Sequence, residues 1–519
     1  MSIARAQRGS GRFRMTSPDR KNAHAPHDPT DLLFYAALIT LPVDGTVFGV
    51  QMPYYSPISP VFFALYALCN ARRLPALFLR LTRPMHPRTD TASAGSTIST
   101  VSLSGSPMFP HTLALLAALC AVSVFGWVTV GLDATYAPRT LMAVGFAFAT
   151  LASFGIAWSV KRLPMRMAVT VLVAAYAAAF LFGVFTWAVE PAHLTALSET
   201  LGGWSSGLAG KTVAEATSVL SGARNRLSGV FLRQYFVTRP QFLFAEPSYI
   251  GMHLFGVLLP VYWLSRDRRL PSLIAVFAGG SVLMGSGVRI VLDTAVACVL
   301  WVAADVPWGR VWRDMRLRCA TFGAAAVACT SGAAVFVTQP RLRALAADGL
   351  FAGDASMSAR LFRSVAPLDA GLHDVPHLLF GFGAGSVAEA MRRRYADALA
   401  WYAAHGGVMT AEIGELRNPL GPTGNLAGNA FTMNAYVSFV TEFGLVAFVA
   451  ALALLLWHMT RNRAWSRRTV CWLLLLAYLY VQFEAYAFPA FALFVWATAR
   501  ERDGRPNTHA ASMTDGMAD

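Results

Sequence analysis

The amino-acid sequence predicts an all-α, polytopic membrane protein with about twelve transmembrane helices and two long loops on its outer face. The chain has 519 residues, of which 55% are hydrophobic and only 14% are charged. Apolar runs of nearly 20 residues recur along it, and a helix of that length crosses the hydrocarbon core of a bilayer. Basic residues are concentrated between those runs, a distribution that sets the orientation of helical membrane proteins.

The N-terminal part is expected to contain a tail, five spans and a loop. Residues 1–30 are polar, rich in Arg, Pro and His, and lack the apolar core of a signal peptide, which predicts a cytoplasmic tail. Transmembrane helices follow over 31–189, with a flexible cytoplasmic linker rich in Ser, Thr and Gly at 84–108. A hydrophilic outer loop is predicted at 190–242. The five spans are placed near 31–50, 55–70, 109–131, 140–160 and 167–189.

The C-terminal part is expected to contain two groups of spans separated by a long loop, and a second tail. Central transmembrane helices are predicted over 243–338, a large outer loop over 339–430, C-terminal transmembrane helices over 431–499 and a cytoplasmic tail over 500–519. The spans are placed near 243–264, 271–285, 288–304, 319–338 and 431–458, with two short helices within 470–498, where QFEAYAFP interrupts the apolar run.

The distribution of basic residues predicts that both termini lie in the cytoplasm. Of 43 Lys and Arg residues, 28 lie in the segments that this arrangement places inside. The short outer turns at 51–57, 131–139 and 285–289 contain none, one and one. The two long loops contain the others, and because long loops escape the charge rule, these cations need another explanation.

Composition argues against several other classes of protein. The formal net charge is +15, but the basic residues lie in short segments between spans and form no surface suited to nucleic acid. The six cysteines lie in or beside apolar runs without a CxxC pair, so neither a disulfide framework nor a zinc site is indicated.

Charged residues stand at the entrance to the sixth predicted span, in RPQFLFAEPS at 239–248. Arg239 and Glu246 flank an apolar patch, and Pro247 suits the first turn of a helix. One interpretation is structural: Arg239 reaches lipid phosphate and Glu246 interacts with the helix dipole. The other is functional, since a carboxylate at the membrane boundary loses hydration and is rarely retained for packing alone.

Further arginines lie in the predicted outer turns and loops. Arg289, in GSGVR, is expected at the same depth as Arg239, and two such cations beside a carboxylate favour an anionic substrate over simple anchoring. Arg360 and Arg363 lie three residues apart, so a helix would put them on one face, where they can bind a diphosphate. MRRRYADALAWY at 391–402 predicts a basic amphipathic helix with a solvated or headgroup-facing side.

Two other motifs are weaker. The glycines of LFGFGAGS at 379–386 are expected to form a turn, because no strand precedes them as a nucleotide-binding fingerprint requires. His373 and His377 have the spacing of a metal pair, but Pro376 opposes a helix there and no HExxH motif surrounds them, so no metal is predicted. The sequence offers no Cys–His signature of a covalent nucleophile.

These motifs together resemble the bacterial O-antigen polymerase and ligase superfamily of inner-membrane glycosyltransferases. That family has about twelve spans, a large late periplasmic loop, and the motif R-x-x-G-x-F-x-x-P at the entry to a middle span. Arg239, Phe244 and Pro247 match the motif, whereas Phe242 replaces its glycine. The turn with Arg289, the segment DASMSARLFRS with its following glycine turn, and MNAYVSFVTEFGLVA at 433–447 resemble further family segments.

The last of these segments separates polymerase from ligase. Ligases have a His, then Asn, Ser or Gln, and a Gly after nine further residues. Here Asn434 and Gly444 keep that spacing, but Met433 stands where the His is expected. The resemblance therefore favours a polymerase and covers roughly residues 225–460.

The resemblance implies a metal-independent enzyme without cofactors that joins glycan units carried on undecaprenyl diphosphate at the periplasmic face of the inner membrane. Arg239 and Arg289 would bind the diphosphate, with Arg360, Arg363 and Asn434 as further substrate-binding residues, and Glu246 would be the base or orient the acceptor. The expected partners are lipid-linked donor and acceptor glycans, membrane lipid and a chain-length regulator, but no nucleic acid. An O-antigen ligase and a flippase or transporter of lipid-linked sugars remain alternatives, and the product is an O-antigen, a capsule or an exopolysaccharide.

Overall fold

A computed structural model describes most of the chain. In its described part, the helices are joined by turns and loops, and the strands are limited to one two-residue ladder. Strands β1 (Thr46–Val47) and β2 (Val50–Gln51) pair antiparallel. The described residues are 28–43, 46–47, 50–51, 58–75, 108–134, 136–190, 193, 218–219, 221–222, 240–244, 246–417, 432–481 and 489–499. The predicted linker at 84–108 and both tails lie almost wholly outside these ranges, as does most of the loop at 190–242.

The first predicted span is corrected by the structure. Helix α1 (Asp31–Ile39) stops well before residue 50, and its nine residues extend only about 14 Å, roughly half of a hydrocarbon core. Pro42 and Gly45 follow in the sequence, and both residues disfavour a continuing helix. Helix α2 (Ser59–Cys69) then packs against α1, and a single 3₁₀ turn at Ala71–Arg73 follows it.

The next helices follow the predicted spans closely, except for one short helix at Trp308–Arg313, which lies between the spans predicted at 288–304 and 319–338. They are α3 (Met108–Val130), α4 (Tyr136–Phe154, continued by a π-helical segment at Gly155–Val160), α5 (Met165–Ala188), α6 (Pro247–Ser265), α7 (Arg269–Leu283), α8 (Val288–Asp305), α9 (Trp308–Arg313) and α10 (Met315–Thr338).

The large predicted loop contains helices with a hydrophobic core of their own. These are α11 (Pro340–Asp348), α12 (Ala355–Leu372), α13 (Val375–Phe380), α14 (Val387–Ala404) and α15 (Ala411–Glu415). Helices α12 and α14 pack along each other, and Phe362, Met391 and Tyr402 are fully buried between them and α15. The loop is therefore a folded unit that can hold a side chain in a fixed place.

Three helices complete the chain: α16 (Ala435–Arg461), α17 (Arg467–Tyr480) and α18 (Pro489–Ala499). The predicted pair of helices within 470–498 corresponds to α17 and α18, and the interrupting residues 482–488 lie outside the described part.

Five helices of the described part are long and apolar enough to cross a membrane, which indicates a membrane protein. They are His111–Val130, Tyr136–Val160, Met165–Ala188, Pro247–Ser265 and Ala435–Arg461. Helices α2, α7 and α18 are apolar but shorter. The count of twelve spans stays a prediction.

Helix α6 is the most buried of the five. Its middle, Leu254–Leu258, is a π-helical segment. Pro260, which comes just after, has no N–H to donate to the carbonyl four residues earlier, so the regular bonding pattern is interrupted at this point. Large side chains such as Leu254, Phe255 and Leu258 fill the core around it. The N-terminal end of this rigid helix carries Glu246.

The glycine-rich turn at 381–385 connects the loop unit to the membrane helices. Helix α16 is broken at Gly444, whose φ of 83° favours glycine, and the break leaves carbonyls without helical partners. The backbone N–H groups of Phe382 and Gly383 donate to the carbonyls of Thr441 and Glu442, at 2.8 and 2.9 Å. The predicted glycine turn is therefore structural, since it satisfies the hydrogen-bonding groups of a broken helix.

Side chains strengthen the same contact. The Glu442 Oε1 atom accepts hydrogen bonds from Gly385 N at 2.9 Å and from Thr140 Oγ1 at 3.0 Å. Trp127 Nε1 of α3 donates to the Ala384 carbonyl at 2.9 Å. Helices α3, α4 and α16 are thus all joined to the loop unit, which fixes the position of α12 above the membrane helices.

Candidate functional site

A cavity of about 230 Å³ lies where the N-terminal end of α6, the turn before α8 and the loop unit meet. Three of the residues predicted from sequence line it: Glu246, Arg289 and Arg360. Each comes from a different segment, so only the tertiary fold brings them together. The volume is below the roughly 300–1,000 Å³ usual for drug-sized ligands, so the cavity suits a compact polar group.

Glu246 enters the cavity from the residue that caps α6. Its backbone is extended, with φ −145° and ψ 153°, and Pro247 begins the helix immediately after it. The Ser248 hydroxyl donates to Glu246 Oε2 at 2.9 Å. The carboxylate is thus held at the mouth of a membrane helix, and its other oxygen has no part in that bond.

Arg289 stands in the first turn of α8, after a tight turn. Gly285 and Gly287 have φ of 77° and 132°, which lets the chain reverse within three residues. The Ser286 hydroxyl donates to the Pro240 carbonyl at 3.0 Å and so ties this turn to the segment before α6. Arg289 Nε lies 3.5 Å from Asp293 Oδ2, one helical turn further on. The guanidinium is largely buried, and Arg289 lines the same cavity as Glu246.

Arg360 reaches the cavity from helix α12 of the loop unit. Burial, and after it the positive charge of Arg289, lower the pKa of Arg360 from its usual value, whereas Glu246 acts in the opposite direction. The charged guanidinium is therefore less stable here than in water. An anion bound beside the two arginines would favour their charged forms and so act against both causes.

Sequence reasoning missed two charged residues of the cavity, Arg341 and Asp354. Arg341 Nε lies 3.6 Å from Asp354 Oδ2, and Asp354 also caps α12 by accepting from Met357 N at 2.9 Å. A signal was available for the second residue, since Asp followed by a helix is a common N-cap. Arg341 has no such signal, because its neighbour Arg343 looks the same in the sequence.

Two predicted site residues lie outside this cavity. Arg363 is buried with its guanidinium 3.6 Å from Glu412 Oε2, within the loop unit. Asn434 caps α16: its Oδ1 atom accepts from Tyr436 N at 3.1 Å and Val437 N at 3.3 Å. Arg360 and Arg363 were predicted to share a helix face and bind one ligand. Only Arg360 lines the cavity, because the side chain of Arg363 is buried inside the loop unit.

Arg239 lies outside the described residues, whereas Phe242 and Phe244 of the same segment lie within them. Phe242 has φ 58°, a backbone conformation that glycine adopts freely and a bulky residue rarely. Its ring lies against Gly183 of α5 and 4.5 Å from the ring of Phe277. Phe244 stacks on His253 at 4.3 Å. The two rings therefore anchor the segment before Glu246 in the core of the membrane helices.

The histidine pair has structural contacts. His377 Nδ1 lies 2.7 Å from Asp374 Oδ2, its Nε2 lies 2.8 Å from Thr129 Oγ1, and its ring stacks on Phe382. His373 contacts its own helix at the Asp369 carbonyl. Within the described ranges, no group of three or more His, Cys, Asp or Glu side chains is arranged to hold a metal ion.

The arginines of the predicted basic helix form ion pairs on the surface of the loop unit. Arg392 binds Glu389 at 2.6 Å, and Arg394 binds Asp369 at 3.1 Å. They lie away from the cavity and are not part of the candidate site.

Comparisons with protein-family models, with curated proteins and with solved structures found no match. The family resemblance therefore depends on the motifs, and the function on the geometry of the cavity.

Proposed function

We propose that this protein is a polymerase that joins oligosaccharide units carried on undecaprenyl diphosphate, at the periplasmic face of the bacterial inner membrane. The observation that carries the proposal is the convergence of Glu246, Arg289 and Arg360 on one cavity. One carboxylate and two cations at a membrane boundary are the groups that transfer from a diphosphate leaving group requires.

In the proposed reaction, an acceptor sugar hydroxyl attacks the anomeric carbon of the donor glycan. A new C–O bond forms there, and the bond from that carbon to the diphosphate oxygen breaks. Glu246 takes the hydroxyl proton as general base. The leaving undecaprenyl diphosphate keeps the bonding electrons, so negative charge grows on the oxygen that departs.

Arg289 and Arg360 are suited to stabilise that charge. Both guanidinium groups are fixed on helices, and arginine stays protonated at physiological pH. Arg360 lies in an unfavourable setting beside Arg289, and attraction to a bound anion would offset the repulsion between the two cations. Arg341, which lines the cavity from α11, would add a third cation.

The backbone of Phe242 supports the proposal in one respect. The motif of the proposed family has glycine at this position, and the φ of 58° at Phe242 is one that glycine adopts freely. The role of Arg239 stays a prediction.

The proposal is tested by polymer length in a bacterial strain that lacks the gene. Glu246→Gln, Arg289→Ala and Arg360→Ala should each shorten or abolish the polymer, because loss of one preorganised charge contact costs about 10²–10³ in rate. Arg343→Ala is the matched control, since Arg343 is an exposed arginine two positions from Arg341 and does not line the cavity. Normal polymer from all three variants, at equal expression, would overturn the proposal.

Lipid analysis of the deletion strain separates the alternatives. A polymerase defect leaves single lipid-linked units on the periplasmic side. A ligase defect leaves full-length polymer on its carrier, and a flippase defect leaves single units on the cytoplasmic side. Either of the last two results would contradict the proposed activity.

A further inference from the structure

Asp293 is a buried acid directly behind Arg289 that the proposed reaction does not use. It lies in the second turn of α8, and 1% of its surface is exposed. A carboxylate with so little access to water is costly unless it is paired and hydrogen-bonded. Its contacts therefore need an explanation in terms of the neighbouring site.

Three helices hold this carboxylate. Oδ2 lies 3.5 Å from Arg289 Nε on α8, and Oδ1 accepts a hydrogen bond from the Tyr478 hydroxyl of α17 at 2.9 Å. On the third side, Gly251 of α6 leaves the space that the carboxylate occupies, because a Cβ atom at this position would overlap Oδ2. Any larger residue at 251 would push the acid out of place.

We infer that Asp293 and Tyr478 are positioning residues that orient the Arg289 guanidinium toward the bound diphosphate. Asp293 pairs with Arg289 through Nε, which leaves the two terminal nitrogens of the guanidinium as the donors for an anion in the cavity that Arg289 lines. Tyr478 holds the other carboxylate oxygen, Oδ1. This inference rests on the proposed function, because it assumes that Arg289 binds the diphosphate.

The arrangement also explains why α17 belongs to the site. Helix α17 contributes no side chain to the cavity wall in the described part, yet it packs along α8 and supplies the Tyr478 hydroxyl. A single hydroxyl thus connects the C-terminal helices with the cation in the cavity. The orientation of a ligand-binding side chain by a second hydrogen-bonded residue is familiar from metal sites.

Binding of inorganic diphosphate to the purified full-length protein in nanodiscs tests the inference. Asp293→Asn should weaken binding about 10- to 100-fold, the range seen when the partner of a ligand-binding side chain in a metal site is removed. Tyr478→Phe should weaken it less, because the ion pair remains. Asp305→Asn is the matched control: Asp305 is on the same helix, is also paired with arginine, and lies about 18 Å further along the axis.

A double-mutant comparison distinguishes positioning from a general structural role. In the Arg289→Ala background, Asp293→Asn should cause no further loss of diphosphate affinity, because the side chain that Asp293 orients is gone. An equal loss in both backgrounds would overturn the inference. If the Asp293→Asn protein does not fold, the same comparison with Tyr478→Phe decides.

The outcomes also separate this inference from the proposed function. If Arg289→Ala and Arg360→Ala weaken diphosphate binding while Asp293→Asn and Tyr478→Phe leave it unchanged, only the inference is wrong. If Arg289→Ala binds diphosphate as well as the unmodified protein does, the proposed site and the inference are both wrong.

Discussion

At the scale of single residues, Phe242 combines an unfavourable backbone with favourable packing. A φ of 58° costs a bulky residue about 1–2 kcal/mol, but the fully buried ring packs against Phe180, Phe277 and Gly183. Burying a phenylalanine is worth more than that strain. The packing of the Phe242 side chain therefore keeps the segment before Glu246 in a backbone conformation that otherwise suits glycine.

We predict strong coupling between Phe242 and Gly183. A Cβ atom at residue 183 would overlap the phenyl ring, so Gly183→Ala should lower stability by about 1–3 kcal/mol, the usual cost of overpacking. In a Phe242→Ala background the same change should be neutral or stabilising, because the ring is gone and alanine favours a helix. Thermal unfolding in detergent measures both.

The control for this pair is Gly279→Ala in α7, where a new Cβ meets no atom within 4 Å. Its effect should be small and the same in both backgrounds. If Gly183→Ala lowers stability equally with and without the Phe242 ring, the contact with that ring is not the reason why residue 183 must be glycine.

A second residue-scale prediction concerns pH and Asp28. A hydrogen bond from Lys161, followed by those from Thr30, holds the pKa of Asp28 well below its usual value, against a smaller opposing effect of burial. A depressed pKa stabilises the fold fully above the unfolded value of about 3.9, and this stabilisation is lost as the pH falls toward the folded value.

The expected result is a steeper acid loss of stability in the unmodified protein than in Asp28→Asn. Unfolding temperatures in nanodiscs from about pH 5 down to about pH 2 give the comparison, with the loss expected below about pH 4. Asp348→Asn, an exposed acid in α11, is the control and should follow the unmodified protein. Parallel pH profiles for all three proteins would contradict the assignment.

Sequence could predict part of the site at this scale. Glu246 and Arg289 stand at the ends of apolar runs, where charge is expensive and so conspicuous. Asp293 escaped notice because it lies one turn inside its span, and Arg341 because nothing local separates it from Arg343. The roles of Asp293 and Arg341 depend on residues that are close in space but distant in the sequence.

At the scale of elements, the break in α16 and the glycine turn of the loop unit fit each other. Gly381 and Gly444 approach so closely that a Cβ atom on either would overlap the backbone of the other segment. The Thr441 and Glu442 carbonyls left open by the break accept hydrogen bonds from the backbone of the glycine turn, as irregular backbone inside a membrane protein requires.

We predict that Gly444→Ala destabilises the protein and releases the loop unit. The left-handed backbone alone costs alanine about 1–2 kcal/mol, and overlap with the Leu379 carbonyl adds to this. Limited proteolysis should then cut the loop unit faster, and the unfolding temperature should fall. Gly145→Ala in α4, where a new side chain meets open space, should do neither. Unchanged proteolysis of the Gly444→Ala protein would show that the contact does not hold the loop.

Helix positions were largely predictable because the length of an apolar run sets the length of a span. The starts and ends of α3, α5 and α8 lie within a few residues of prediction. Prediction failed for α1, where an apolar run contains Pro42 and Gly45, and for the interior of α16. A glycine within a span has no local signature that distinguishes a smooth helix from a broken one.

At the scale of the whole molecule, the contacts agree with the alternating orientation of the predicted spans. Asp305 pairs with Arg266 and Arg468, three residues that the charge distribution places in the cytoplasm. The loop unit contacts the turn near Ala137, which the charge distribution places on the outer face. Segments assigned to the same side of the membrane are therefore in contact with each other.

This orientation predicts opposite access for two exposed positions. In a cysteine-free background, His405→Cys on the loop unit should react with a membrane-impermeant maleimide in cells whose outer membrane alone is opened. Arg463→Cys, between α16 and α17, should react only after the inner membrane is permeabilised. The reverse pattern would invert the topology and put the cavity in the cytoplasm.

The convergence of Glu246, Arg289 and Arg360 depends on how the loop unit docks, so the motifs could predict it only through the family resemblance. The most direct test is a single-turnover assay of undecaprenyl diphosphate release from a lipid-linked repeat unit by the purified protein. We predict that Glu246→Gln, Arg289→Ala and Arg360→Ala each slow release by about 10²–10³ while Arg343→Ala does not. Release by all three variants at the rate of the Arg343→Ala control would contradict the account.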